Sequence, residues 1–180
     1  MKVGFIGLGI MGTPMALHLV NKGHALTVYT RSQVPEAITA AGGVRVDSAA
    51  AVAREAEVIF TMVPDTPDVE AVLFGKGGVA EGIGKGKVVV DMSSISPMAT
   101  KAFAKRINAL GADYIDAPVS GGEVGAKAGT LTIMCGGDAA VFERVKPLLE
   151  CMGKNITLVG GNGDGQTTKV ANQIIVALNI

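Results

Sequence analysis

Chemistry concentrates in three stretches of the 180-residue sequence. The first, Gly7-Leu8-Gly9-Ile10-Met11-Gly12, follows the apolar run Lys2–Ile6 and opens a stretch of helical periodicity. Strand, glycine loop and helix in that order form the setting in which such a loop cradles a pyrophosphate. Gly7 permits the tight turn, Gly9 lets the backbone approach the phosphates, and Gly12 lets helix and strand pack closely. The helix start aims unpaired N–H groups and a positive dipole end at the anion. Gly7, Gly9, Ile10, Met11 and Gly12 are therefore the expected phosphate cradle. A glycine turn serving packing alone competes with this reading, and methyltransferases carry similar loops.

The end of the next strand selects between nicotinamide cofactors. An Asp or Glu about 20 residues past the loop binds the ribose 2′-OH of NAD. Here that strand ends Val28-Tyr29-Thr30-Arg31-Ser32, with no acid before Glu36. Arg31 is placed to pair with a 2′-phosphate, with Thr30 and Ser32 as hydroxyl donors. This favours NADP(H) and leaves NAD(H) open, since an exposed Arg in a loop is also common.

The other two stretches suit a small acid substrate. Successive N–H groups of Ser120, Gly121 and Gly122, in Pro118-Val119-Ser120-Gly121-Gly122, could form a nest for a carboxylate, with the Ser120 hydroxyl as a further donor. Lys169, Asn172 and Gln173 stand three and four apart, on one face of a helix. A lysine among Val170, Ala171, Ile174 and Ile175 is partly desolvated, which lowers its pKa toward a useful range for proton donation. The competing reading is a lysine snorkelling from an amphipathic helix. His18 and His24 lie on segments away from the expected nicotinamide and read as solvated histidines.

Alternating short apolar strands and helices must position these groups. Strands are expected at Lys2–Ile6, Leu26–Tyr29, Val44–Val46, Glu57–Met62, Val88–Asp91, Tyr114–Asp116, Leu131–Cys135 and Ile156–Val159. Helices are expected over Met11–Asn21, Pro35–Ala41, from Ser48 to Glu55, Pro67–Leu73, Pro97–Leu110, Ala139–Leu149 and Gln166–Ile180. Such alternation predicts an α/β fold: a Rossmann-type, doubly wound, mostly parallel sheet with helices on both faces. The last helix is apolar-rich and stops mid-pattern at Ile180, which reads as a chain cut from something longer. Residues 1–163 are expected to form the nucleotide-binding domain, and 164–180 the helix leading to a further domain.

Composition narrows the alternatives. Glycine, at 25 of 180 residues, is about double its average usage and suits many tight strand–helix connections. Sixteen basic residues balance sixteen acidic ones with no basic cluster, so nucleic acid is not an expected partner. No apolar run reaches the ~18 residues of a membrane span, and no signal peptide precedes the first strand. Cys135 and Cys151 form no metal or redox spacing and read as reduced thiols. A cytosolic protein without a metal is expected.

Three motifs in order resemble the β-hydroxyacid dehydrogenases: Gly7–Gly12, Asp116-Ala117-Pro118-Val119-Ser120-Gly121-Gly122, and Gly165-Gln166-Thr167-Thr168-Lys169-Val170-Ala171-Asn172-Gln173. The resemblance implies NAD(P)-dependent chemistry on a small hydroxy or aldehyde acid. Lys169 matches the family's catalytic lysine, and Ser120, Gly121, Gly122 and Asn172 match its substrate positions. Val63, Pro64 and Ser94 match positions beside the nicotinamide and its ribose. The segments Met62–Pro67, Asp91–Pro97 and Asn172–Ile180 resemble the branch that reduces tartronate semialdehyde to D-glycerate. The 3-hydroxyisobutyrate branch commonly has Asp at the end of the second strand, which this sequence lacks. The family's C-terminal helical domain forms the dimer, so a homo-oligomer is implied. A different 3-hydroxy acid, a non-catalytic NADP-binding module and a structural dimerisation fragment are the rival readings.

Overall fold

The computed structural model describes residues 1–179. Strands β1 (Lys2–Ile6), β4 (Val58–Thr61) and β5 (Val88–Asp91) are buried on both faces apart from Lys2, which is why they read as continuous apolar runs rather than alternating ones. With β2 (Ala25–Tyr29), β3 (Val44–Arg45) and β6 (Asp113–Asp116) they form a parallel sheet in the order β3-β2-β1-β4-β5-β6. Chain order reverses between β1 and β4. In open sheets of this kind ligands bind outside the strands' carboxyl ends at that point.

Register brings the strand ends level. Tyr29 pairs with Ile6, Ile6 with Thr61, Thr61 with Asp91, and Asp91 with Asp116. The loops after β1, β2, β4, β5 and β6 therefore all leave one edge of the sheet.

One face of the sheet is covered by α1 (Gly12–Asn21), α2 (Glu36–Ala40) and α7 (Ala139–Leu149), which bury Met15, Leu19, Ile38, Phe142 and Val145 against Phe5, Phe60 and Val90. The other is covered by α3 (Ala49–Glu55), α4 (Thr66–Phe74) and α5 (Pro97–Asn108), with Val52, Leu73 and Phe103 against Ile6, Ile59 and Val89. Alternate residues of one strand thus feed opposite cores. The glycine-rich connection after α4 holds one short 3₁₀ turn, Val79–Glu81.

The chain departs from simple alternation after β6. The short strand β7 (Val119–Ser120) leads into α6 (Gly122–Ala128), a helix of two turns absent from the expected elements. Strand β8 (Leu131–Gly136) then runs antiparallel to β6 and β7. The stretch Gly121–Thr130 is too short for a right-handed crossover, which needs a dozen or more residues. Gly129, in the left-handed region at φ +65°, turns the chain back instead. Strand β9 (Gly153–Gly160) pairs parallel to β8 and is longer than its apolar core Ile156–Val159 predicts. Pairing with β8 recruits Lys154 and Asn155, residues of poor strand propensity.

Helix α8 (Asp164–Leu178) ends the described chain with Asn179 as its C-cap; Ile180, expected to continue it, lies outside the described residues. Its Ile174 and Leu178 are 57% and 81% exposed. Among the described residues no helix is long and apolar enough to cross a membrane.

Candidate functional site

A cleft of about 580 Å³ opens at the point where strand order reverses. It gathers Gly7, Gly9, Ile10, Met11 and Gly12 from the loop after β1, and Thr30, Arg31 and Ser32 from the end of β2. Val63 and Pro64 after β4 and Ser94 after β5 complete the set expected from the sequence. The three loop glycines have three separate reasons. Gly7 has φ +97°, and a Cβ there would fall 2.2 Å from the Met62 carbonyl oxygen. A Cβ on Gly12 would fall 1.9 Å from the Gly7 carbonyl oxygen. At Gly9 a Cβ meets no protein atom within 4 Å, although Gly9 lines the cleft. The fold does not need glycine at position 9, where the bare backbone faces the open cleft. No acid stands in the first turn of α1 to compete for its N–H groups. These features fit a dinucleotide pyrophosphate.

Arg31 and Asp68 form an ion pair at 2.9 Å, joining the end of β2 to the first turn of α4. The Arg31 side chain is 70% exposed, so the pair is worth at most about 1 kcal/mol. A charge-assisted contact to a phosphate is worth ~1.5–3 kcal/mol, enough to outcompete it.

Behind the cleft, Asp91 is fully buried and accepts hydrogen bonds from Thr61 Oγ1 (2.8 Å), Tyr114 Oη (3.0 Å) and the Ser93 N–H (3.1 Å). Burial raises its pKa, and these donors oppose the shift. Tyr114 is pushed well above its ordinary value by burial and by the Asp91 charge, so it stays a donor. The Ser93 hydroxyl accepts from the Val63 N–H at 3.0 Å, tying the loop after β4 to the loop after β5.

A second cavity, about 330 Å³, is lined by Ser94, Ile95, Gln166, Lys169, Val170 and Gln173, with Ile174 and Ala177. Burial lowers the Lys169 pKa. Its Nζ donates to Gln173 Oε1 at 2.8 Å, and Asn172 Nδ2 donates to the same oxygen at 3.2 Å. Asn172 meets Lys169 only through Gln173. Ser120, Gly121 and Gly122 line neither cavity; Ser120 pairs with Thr132 across β7 and β8, and Gly121 is the N-cap of α6. His18 corrects the expectation of a solvated ring. Its Nε2 lies 2.9 Å from the Ala126 carbonyl oxygen and 3.1 Å from that of Lys127, at the C-terminal end of α6.

Sequence reasoning missed Asp68, Gln173's double acceptance, and Asp116 and Gln166 at the base of α8. Asp116 Oδ1 accepts from the Gly163 N–H (2.7 Å) and Oδ2 from the Gln166 N–H (3.1 Å). Burial pushes this carboxyl up to about 6 against the pull of those two donors. Asp116 and Gln166 both stand inside motifs quoted above, but nothing local marks either as a partner of the other. Among the described residues no group of three or more His, Cys, Asp or Glu could hold a metal ion.

Fold and cleft together define a nicotinamide-dinucleotide-binding domain of Rossmann type. Residues 2–161 match the model of the NAD binding domain of 6-phosphogluconate dehydrogenase, and the chain belongs to that family. It is 65% identical over 180 residues to the 2-hydroxy-3-oxopropionate reductase of Escherichia coli (strain K12), covering all of this chain and 62% of that protein. It superposes on Mycobacterium tuberculosis 3-hydroxyisobutyrate dehydrogenase, solved with L-serine, at TM-score 0.89 and 35% identity, covering 98% of this chain and 60% of that one. Psf3, solved with NADP+ and 2-OPP, matches at TM-score 0.88 and 32% identity, covering 94% and 61%. The chain therefore spans about three-fifths of the length of these relatives.

Proposed function

We propose that this chain is the cofactor-binding part of a reductase that uses NADPH in preference to NADH and converts tartronate semialdehyde to D-glycerate. The substrate follows from the E. coli relative, and the cofactor preference from Arg31, Thr30 and Ser32 at a strand end without an acid. One observation carries the chemistry: Ser94 lines both the dinucleotide cleft and the cavity holding Lys169. A bound reduced nicotinamide supplies the hydride. The N–H groups at Gly9–Gly12 and the positive end of α1 hold its pyrophosphate. The resemblance assigns the substrate carboxylate to Ser120–Gly122, which stand outside both cavities of this chain. Protonated Lys169 stabilises charge developing on the aldehyde oxygen and delivers a proton there, with Asn172 and Gln173 limiting where the ammonium points. Its lowered pKa makes it a better acid at neutral pH, and activity should fall as pH rises through that pKa.

In the protein containing these residues, Lys169→Ala should cut kcat for tartronate semialdehyde by ~10²–10⁴-fold with NADPH affinity nearly unchanged. Steady-state kinetics and fluorescence titration read the two quantities. Retention of more than half the wild-type rate would leave Lys169 as a snorkelling lysine. A 3-hydroxyisobutyrate-type dehydrogenase is the second reading, favoured by the M. tuberculosis match. Comparison of kcat/KM for the two substrates separates them.

A further inference from the structure

Lys169 owes its place to very few contacts. Past the first turn of α8, Val170 and Ala171 are exposed, as is every residue from Gln173 to Asn179. The side-chain hydrogen bonds of Thr167, Thr168, Lys169, Asn172 and Asn179 all close within α8 or on the residue just before it. Among the described residues, Gln166 is the last residue of α8 with a hydrogen bond to the rest of the fold. It is 1% exposed, and both ends of its carboxamide are engaged. Nε2 donates to the Ser93 carbonyl at 2.7 Å, and Oε1 accepts from the Ile95 N–H at 3.1 Å. These two main-chain groups flank Ser94 on either side. Underneath, the Gln166 N–H is held by Asp116, and Gly165 sits so close that a Cβ would fall 2.4 Å from the Met134 carbonyl. Residues 166 and 169 are neighbours on one helix face, ~5–6 Å apart at Cβ. Both line the smaller cavity.

We infer that Gln166 is a positioning residue for the reduction: its carboxamide sets the spacing between the Ser94 loop, which walls the dinucleotide cleft, and the ammonium of Lys169. This rests on the reading of Lys169 as proton donor. Both carboxamide bonds are needed. An acceptor alone would leave the Ser93 carbonyl unpaired, and a donor alone would leave the Ile95 N–H unpaired, inside a dry site where each loss is felt. An ångström of displacement between hydride and proton sites is enough to cost ~10²-fold in rate.

The test compares Gln166→Met, which keeps the volume and removes both bonds, with Gln166→Glu. In the protein containing these residues, Gln166→Met should lower kcat by about 10–100-fold, leave NADPH affinity within about twofold, and enlarge the isotope effect from deuterated NADPH. Gln166→Glu should be poor at neutral pH and recover relative to wild type as pH falls, because a protonated carboxyl both donates and accepts. The titratable groups around position 166 are Asp116 on β6, Asp91 on β5 and Lys169 on α8, so wild type is run at each pH as reference. In the 180-residue chain, Gln166→Met should also speed exchange of the Ile95 amide. Unchanged kcat and isotope effect in a folded Gln166→Met, or a Gln166→Glu profile parallel to wild type, would overturn the inference. An active Lys169→Ala would instead sink the proton-donor reading, and Ile95 exchange would still report whether the tie exists.

Discussion

The dinucleotide cleft and the wall carrying Lys169 meet at Ser94, yet they are held by different means. The cleft is largely a backbone structure: the Gly7–Gly12 loop, the end of β2 and the turn after β4 hang from strands paired on both sides. Substituting a side chain on those walls leaves the N–H groups of the loop in place. Helix α8 presents its chemistry on side chains and is anchored by one turn, through Asp116 and Gln166. A site made of main chain inherits the stiffness of the sheet. A site made of side chains on a projecting helix is only as well placed as its few anchors.

The largest effect that would break this comparison lies in the glycine loop. Gly9→Val should abolish NADPH binding with little change in Tm, since a Cβ there meets no protein atom. Gly12→Val should destabilise the fold by about 3 kcal/mol or more, a fall in Tm of about 6–12 °C, because its Cβ would collide with the Gly7 carbonyl. Calorimetry and titration on both variants give the result. Retained binding in folded Gly9→Val would make the loop a packing turn.

On the α8 side, Asp116 makes the anchor sensitive to pH. Its folded pKa, about 6, lies above the ordinary 3.8 of an unfolded chain. Between those values the folded chain keeps a proton the unfolded chain has released, so stability from this group is present below about pH 4 and lost as pH rises through 6. The stability of wild type minus that of Asp116→Asn should therefore drop by up to about 3 kcal/mol from pH 4 to pH 7. Denaturant unfolding at each pH measures the gap, and a gap independent of pH would mean that Asp116 ionises normally in the folded chain.

The smallest effects sharpen the cleft itself. Arg31→Ala should weaken NADPH binding about tenfold or more and leave NADH nearly unchanged. Asp68→Asn releases Arg31 from its exposed pair and should tighten NADPH by no more than about fivefold. Equal wild-type affinity for the two cofactors would remove Arg31 from the discrimination.

Much of this was legible in the residues. The Gly7–Gly12 loop announced its strand and helix because Gly7 and Gly12 each meet a local backbone need, while Gly9 leaves the backbone open toward the cleft. The apolar runs of β1, β4 and β5 announced a sheet covered on both faces. The antiparallel turn of β8 was hidden because it depends on the length of the connection through α6 and on what β6 leaves unpaired. The extension of β9 over Lys154 and Asn155 was hidden because its partner strand, not its own propensity, creates it. His18 read as solvated because its acceptors, at residues 126 and 127, belong to a helix far along the chain.

The sequence by itself determined the order of strands and helices apart from β7 and α6, the glycine loop after β1, the absence of an acid after β2, and a lysine among apolar residues on the last helix. These are matters of backbone dihedrals and of periodicity over a few residues. Only the tertiary structure decided that Asp68 would reach Arg31, that Asp116 would hold an N–H from 47 residues away, and that Gln166 would bridge to Ser93 across 73. Each side chain carries the same donors and acceptors in any chain. Which of them meet in a water-poor place depends on how the strands are ordered and registered, and that is a property of the whole sheet.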